Sequence, residues 1–133
     1  MPLPIFTANG VPDLVLTGTS LTSGVGPAPV VLPPGDVLCG TPLAAGSVTG
    51  KIVVCKRGTS GRTQKGYNVL QGGAVGMILY NQSASVTDLE TDNHFLPVAH
   101  IQFSQGSQVL AFLANTNVQA TLTAGVRVSA TGM

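Results

Sequence analysis

Gly50-Lys51-Ile52-Val53-Val54-Cys55-Lys56-Arg57-Gly58 and Gly72-Gly73-Ala74-Val75-Gly76-Met77-Ile78-Leu79-Tyr80-Asn81 bracket the polar loop after Gly58 and the segment Lys65-Gly66-Tyr67-Asn68-Val69-Leu70-Gln71. Two short apolar runs rich in Ile and Val, separated by a basic loop and one or two turns of helix-compatible sequence, predict a strand, a crossover and a second strand. Ile52–Val54 and Val75–Tyr80 are apolar almost throughout, which suits central strands covered on both faces. Thr63–Gln71 is expected to be a short helix turning Tyr67, Leu70 and Val69 toward the sheet. Gly72-Gly73 is expected to end it, because a residue with positive φ commonly closes a helix.

Outward from this unit, Leu96-Pro97-Val98-Ala99-His100-Ile101 reads as a third core strand, with Pro97 near its start, where a missing N–H is tolerated. Ser104 is a reasonable N-cap for a helix through Ala114 with apolar positions 109, 110, 112 and 113. Residues 118–123 alternate apolar and polar, the mark of a one-sided strand, and Val126-Arg127-Val128 begins a last one. Toward the start, residues 1–12 read as an extended lead-in, Asp13–Leu21 as a first strand or hairpin, Thr22–Pro29 as linker-like, and Val30-Val31-Leu32 as a short strand stopped by Pro33-Pro34-Gly35. Leu43–Val48 could form one helical turn. The sum is a β-rich α/β domain with two short helices.

The length of 133 residues fits one domain. Charged residues make up only 8% of the chain, against roughly 25% in an average soluble domain, while Gly (17) and Pro (9) are plentiful. That balance resembles an extracellular module more than a cytosolic enzyme. A net charge of +1 gives no reason to expect a nucleic-acid partner, and no apolar run approaches the ~18 residues of a membrane span. Met1-Pro2-Leu3-Pro4 lacks the features of a signal peptide, so either the chain is a piece excised from a larger precursor or the protein stays inside; the chain ends, which lack obvious caps, favour the excised piece.

Five of the six basic residues, Lys51, Lys56, Arg57, Arg62 and Lys65, lie in one segment, and three of the five acids, Asp88, Glu90 and Asp92, share the polar stretch Asn81–Phe95. A basic edge and an acidic loop are expected. Solvated charge is the ordinary reading of such runs; the functional one makes Lys56, Arg57, Arg62, Lys65, Asp88, Glu90, Asp92 and His94 candidate interaction residues. Cys39 and Cys55 are the only cysteines. In a secreted context an isolated pair is most simply a disulfide, and in a cytosolic one a pair of buried thiols.

Chemistry is hard to place on this chain. The run Gly72–Gly76 leaves a helix and enters a strand, the reverse of the order that aims amides at a phosphate. His94 and His100 are the only histidines and show no recognised zinc spacing. Asp88-x-Glu90-x-Asp92 lacks the Gly and Glu positions of a calcium loop. A Gly-x-Ser-x-Gly elbow is missing, and no Asp is obviously placed to orient either imidazole. No cofactor is implied.

The segment Gly50–Gly58, followed by Lys65, Asn68, Gly73-Ala74, Gly76, Ile78, Tyr80-Asn81 and Leu96–Ile101, strongly resembles the protease-associated (PA) domain, in particular the one inserted in secreted subtilisin-like serine proteases. The likeness spans residues 28–123, and its Gly-Lys-Ile-Val, Gly-Ala-x-Gly and Leu-Pro-x-x-x-Ile signals occur in the family's order. The resemblance implies an open β-barrel or sandwich with two short flanking helices, a single domain whose ends rejoin a parent protease, and a secreted location. It also implies a non-catalytic module that gates substrate access, binds peptide or protein segments, contacts the parent catalytic domain, or self-associates. Some subtilase relatives carry a cysteine pair at the positions of Cys39 and Cys55, which favours the bridge. The Gly58–Gln64 loop departs from the family by being wholly polar. A sheet edge flanked by the basic and acidic loops is the expected docking place for an extended peptide; a ligand- or cargo-binding PA module of a sorting receptor or membrane-bound ligase is the alternative.

Overall fold

The computed structural model describes residues 4–16, 25–33, 37–58, 62–83 and 96–122, with the backbone alone at Pro4, Arg62 and Thr63. The elements are β1 (Pro4–Thr7), β2 (Leu14–Val15), β3 (Val25–Val31), β4 (Ile52–Lys56), α1 (Arg62–Gln71), β5 (Gly76–Tyr80), β6 (Val98–Ile101), α2 (Phe103–Phe112) and β7 (Gln119–Leu122). The strands form one open, mixed sheet in the order β2-β1-β7-β3-β4-β5-β6. Pairing is parallel from β3 through β6 and antiparallel from β2 to β3.

The apolar runs that announced β4 and β5 are explained by what covers them. Successive side chains on a strand face opposite sides, and here both sides are cores. Ile52, Val54, Ile78, Tyr80, Ala99 and Ile101 join Val109 of α2 and the inward residues of β1, β3 and β7 on one face. Val53, Cys55, Met77, Leu79 and Val98 join Val69 of α1, Cys39 and Val48 on the other. Each fully buried Ile or Leu adds about 1.5–3 kcal/mol over its exposed state. The β7 alternation appears as expected, with Ala120 and Leu122 buried and Gln119 and Thr121 only partly so.

Helix α1 ends where the glycine pair requires. Gly73 has φ +97°, its N–H donates to Leu70 O at 2.9 Å, and the Ala74 N–H donates to Val69 O at 3.2 Å. That bond pair around a left-handed residue is a Schellman closure. Helix α2 starts two residues earlier than a cap at Ser104 would place it. Its cap is Gln102, whose backbone N–H donates to Gln105 Oε1 at 3.0 Å, so Ser104 lies inside the first turn.

Three sequence expectations change. Residues 4–7 are not a lead-in: β1 pairs with β2 on one side and β7 on the other. The linker-like stretch contains residues 25–29, five of the seven residues of β3. Gly26, at φ +109°, sits where a Cβ would lie 2.5 Å from Ala120 O, and the β3–β7 register shifts between Val25 and Ala28. A bulge at a glycine lets this Gly-Pro segment remain in the ladder. Finally, α1 does not turn Tyr67 and Leu70 inward; they are 40% and 37% exposed. Of the first-strand expectation, only Leu14–Val15 is a strand among the described residues. Val126–Val128 lies outside them.

Candidate functional site

Parallel strands that finish side by side gather their following residues at one sheet end, the usual ligand position in open α/β sheets. Here β4, β5 and β6 finish together. The Arg57 N–H donates to Tyr80 O at 2.9 Å and the Asn81 N–H to Ile101 O at 3.0 Å, so the chain stays laddered one residue past each strand. Asn81, 0% exposed, is the hub. Its Oδ1 lies 2.7 Å from His100 Nε2 and 3.3 Å from Arg57 Nη1, and its Nδ2 donates to Gln102 Oε1 at 3.2 Å. A guanidinium can only donate, which fixes the amide oxygen toward Arg57 and puts the proton of this contact on His100 Nε2. Next door, the buried Gln82 Oε1 has no hydrogen-bond partner among the described residues.

The cluster is rich in amides and donors. Asp13, before β2, is the one carboxylate among the described residues, and no group of three metal-ligating side chains forms among them. Such an arrangement can order a surface and accept hydrogen-bonding or anionic groups of a partner.

The candidate residues do not stay together. Lys56 and Arg57 are half-buried at the β4 end. Arg62 opens α1. Lys65 is fully buried, donating through Nζ to Leu38 O, and so leaves the expected basic edge. Asp88, Glu90, Asp92 and His94 lie outside the described residues. The sheet edge on the β5 side is β6, and all four of its residues are buried.

Lys65 is buried because α1 packs by its polar stripe. Lys65, Asn68 and Val69, at i, i+3 and i+4, share one helix face, and that face meets the segment after Val37. Asn68 Nδ2 donates to Cys39 O at 2.8 Å and Gln64 Nε2 donates to Asn68 Oδ1 at 2.9 Å. The Leu43 N–H returns to Asn68 O at 3.0 Å. Cys39 has φ +49°, a left-handed turn that presents successive carbonyls to the helix. The bridge to Cys55 is formed, with Cα atoms 5.8 Å apart and both residues buried. Buried carbonyls need donors more than α1 needs apolar burial, so Tyr67 and Leu70 are left outside.

Tyr80 packs under α2, and burial pushes its phenol above the ordinary value. The folded state thus holds this proton to higher pH than the unfolded chain does. The associated stability is present below about pH 10, the unfolded value, and is lost as pH rises through the folded value. In a Tyr67→Phe background, ultraviolet titration is expected to show the remaining phenol ionising above the free-tyrosine value; ionisation at or below that value contradicts the packing.

Comparisons with known proteins agree with this geometry. The family model for the PA domain matches residues 26–109, more than half of the chain. The chain is 39% identical over 69 residues to subtilisin-like protease SBT5.4 of Arabidopsis thaliana, covering 52% of this chain and 9% of that protein. To subtilisin-like protease SBT1.4 of the same plant it is 33% identical over 123 residues, covering 84% of this chain and 16% of that one. The chain therefore spans under a fifth of the length of these relatives. Among solved structures, an aminopeptidase from Aneurinibacillus sp. strain AM-1 superposes with a TM-score of 0.58 at 22% identity, over 94% of this chain and 33% of the other. That likeness speaks to the fold.

Proposed function

The chain belongs to the PA-domain family, and from that premise we propose that it is a non-catalytic module of a secreted subtilisin-like serine protease, controlling how peptide or protein segments reach the parent catalytic domain. The observation that carries this reading is the pairing of the two ends of the described fold. Pro4 lies opposite Leu122 in the β1–β7 ladder, where antiparallel partners have Cα atoms about 4.5–5.5 Å apart. A domain whose incoming and outgoing strands are neighbours can sit in one surface loop of a host without spreading that loop.

The working surface is the end of β4, β5 and β6, where Lys56 and Arg57 add positive charge to a platform held rigid by Asn81, His100 and Gln102. Charge at such a rim sets encounter rate and orientation more than final affinity. Access control here is steric: the platform admits a segment from one side, and the buried β6 edge argues against strand addition. The formed bridge and low charge content support a secreted setting. The double reversal Lys56→Glu/Arg57→Glu is expected to slow association of the domain with its protease catalytic domain roughly tenfold at low salt and less at high salt. An unchanged association rate, with the fold intact by circular dichroism, removes this surface from the proposal.

A further inference from the structure

Asn81-Gln82-Ser83 is the one Asn-x-Ser/Thr triplet in the sequence, the acceptor motif for N-linked glycosylation, which ordinarily marks a surface loop. Its position here is the opposite of a surface loop. Asn81 is 0% exposed, and Nδ2, the atom that would carry the sugar, donates to Gln102 Oε1 at 3.2 Å. Its oxygen is engaged by His100 and Arg57, and its backbone N–H by Ile101 O. These partners lie on β6 or just past β4 and β6, so the acceptor is enclosed when the three strands pair and open before they do.

We propose that Asn81 is a glycan acceptor only in the unfolded chain, and that a glycan there and the native fold exclude one another. Transfer from a lipid-linked oligosaccharide forms a bond between Asn81 Nδ2 and the anomeric carbon of the first sugar. It breaks the glycosyl–phosphate bond, releases the lipid pyrophosphate and removes one proton from Nδ2. The product would place a sugar ring where Gln102 and β6 pack, so β6 could not close on β5. Folding and transfer therefore compete for the same asparagine, and pairing of β5 with β6 ends the competition. The inference rests on the secreted setting proposed above only because the transfer machinery resides in that pathway. A test that imposes the pathway reads it whatever the parent's own location.

The 133-residue chain, placed behind a cleavable leader in a eukaryotic secretory host, is analysed with and without peptide N-glycosidase F. Secreted chain is expected to carry an oxidised Cys39–Cys55 pair and to show no mass shift. Ser83→Thr, which makes a better acceptor, is expected to raise the glycosylated fraction and to confine it to retained, protease-sensitive chain. Reductant present during synthesis, which delays bridge closure, is expected to act in the same direction. Ser83→Ala is expected to lose the shift in every fraction. A secreted, protease-resistant, disulfide-bonded chain bearing a glycan on Asn81 overturns the inference, and so does the absence of any glycan on Ser83→Thr chain made under reductant.

Discussion

Replacing Cys39 and Cys55 together by alanine is expected to destabilise the domain by about 3 kcal/mol, the chain-entropy value for a closed loop on the order of 15 residues. For a domain of this size that lowers Tm by roughly 10 °C. The bridge also anchors the left-handed turn at Cys39, whose carbonyl takes the Asn68 amide and whose neighbour Leu38 takes Lys65. Loss of the bridge should therefore loosen α1 as well. Hydrogen exchange is expected to rise at the amides of α1 more than at those of α2, which packs on the other face of the sheet. A loss below 1 kcal/mol, or equal loosening of both helices, contradicts this account.

The second large effect is expected at Gly106. A Cβ at this position would lie 2.6 Å from Cβ, Cγ and Cδ2 of Tyr80, and a Cβ on the neighbouring strand cannot rotate away. Helix α2 would have to lift from β5, exposing Val109 and the core it closes. Overpacking of this kind costs typically about 1–3 kcal/mol, so Gly106→Ala is expected near the top of that range and Gly106→Val above it. Urea unfolding measures both, and a midpoint unchanged by Gly106→Val would mean that α2 does not sit as closely as described.

The legible part of the fold was its parallel half. Ile52–Val54, Met77–Tyr80 and Val98–Ile101 carry their burial on both faces in their own composition, and Gly73 carries the end of α1 in its conformational freedom. The antiparallel half was harder to read because its pairings are non-local. Nothing around Pro4–Thr7 reveals that β7, more than a hundred positions on, will flank it. Gly26 and Pro27 look like a linker until the bulge opposite Ala120 is seen.

The site shows the same division. Lys56 and Arg57 were recognisable as charge in a turn, whereas Asn81, His100 and Gln102 each look ordinary alone. Their signal was positional: a polar residue at or just past the end of an apolar run. Lys65 misled because a lysine in a basic segment suggests solvent, while the carbonyl it serves, that of Leu38, belongs to a turn far back in the chain.

The adjacency of β1 and β7 makes one measurement decisive. In the proposed parent protease, a short linker across the positions of Pro4 and Leu122 removes the domain without moving the joined ends far apart. The deleted and complete proteases are then compared by kcat/KM on matched short and long peptide substrates. If the domain controls access, the ratio of long- to short-substrate kcat/KM shifts on deletion while the short-substrate value itself is largely preserved. An unchanged ratio, in a protease that still folds and cleaves, contradicts the account.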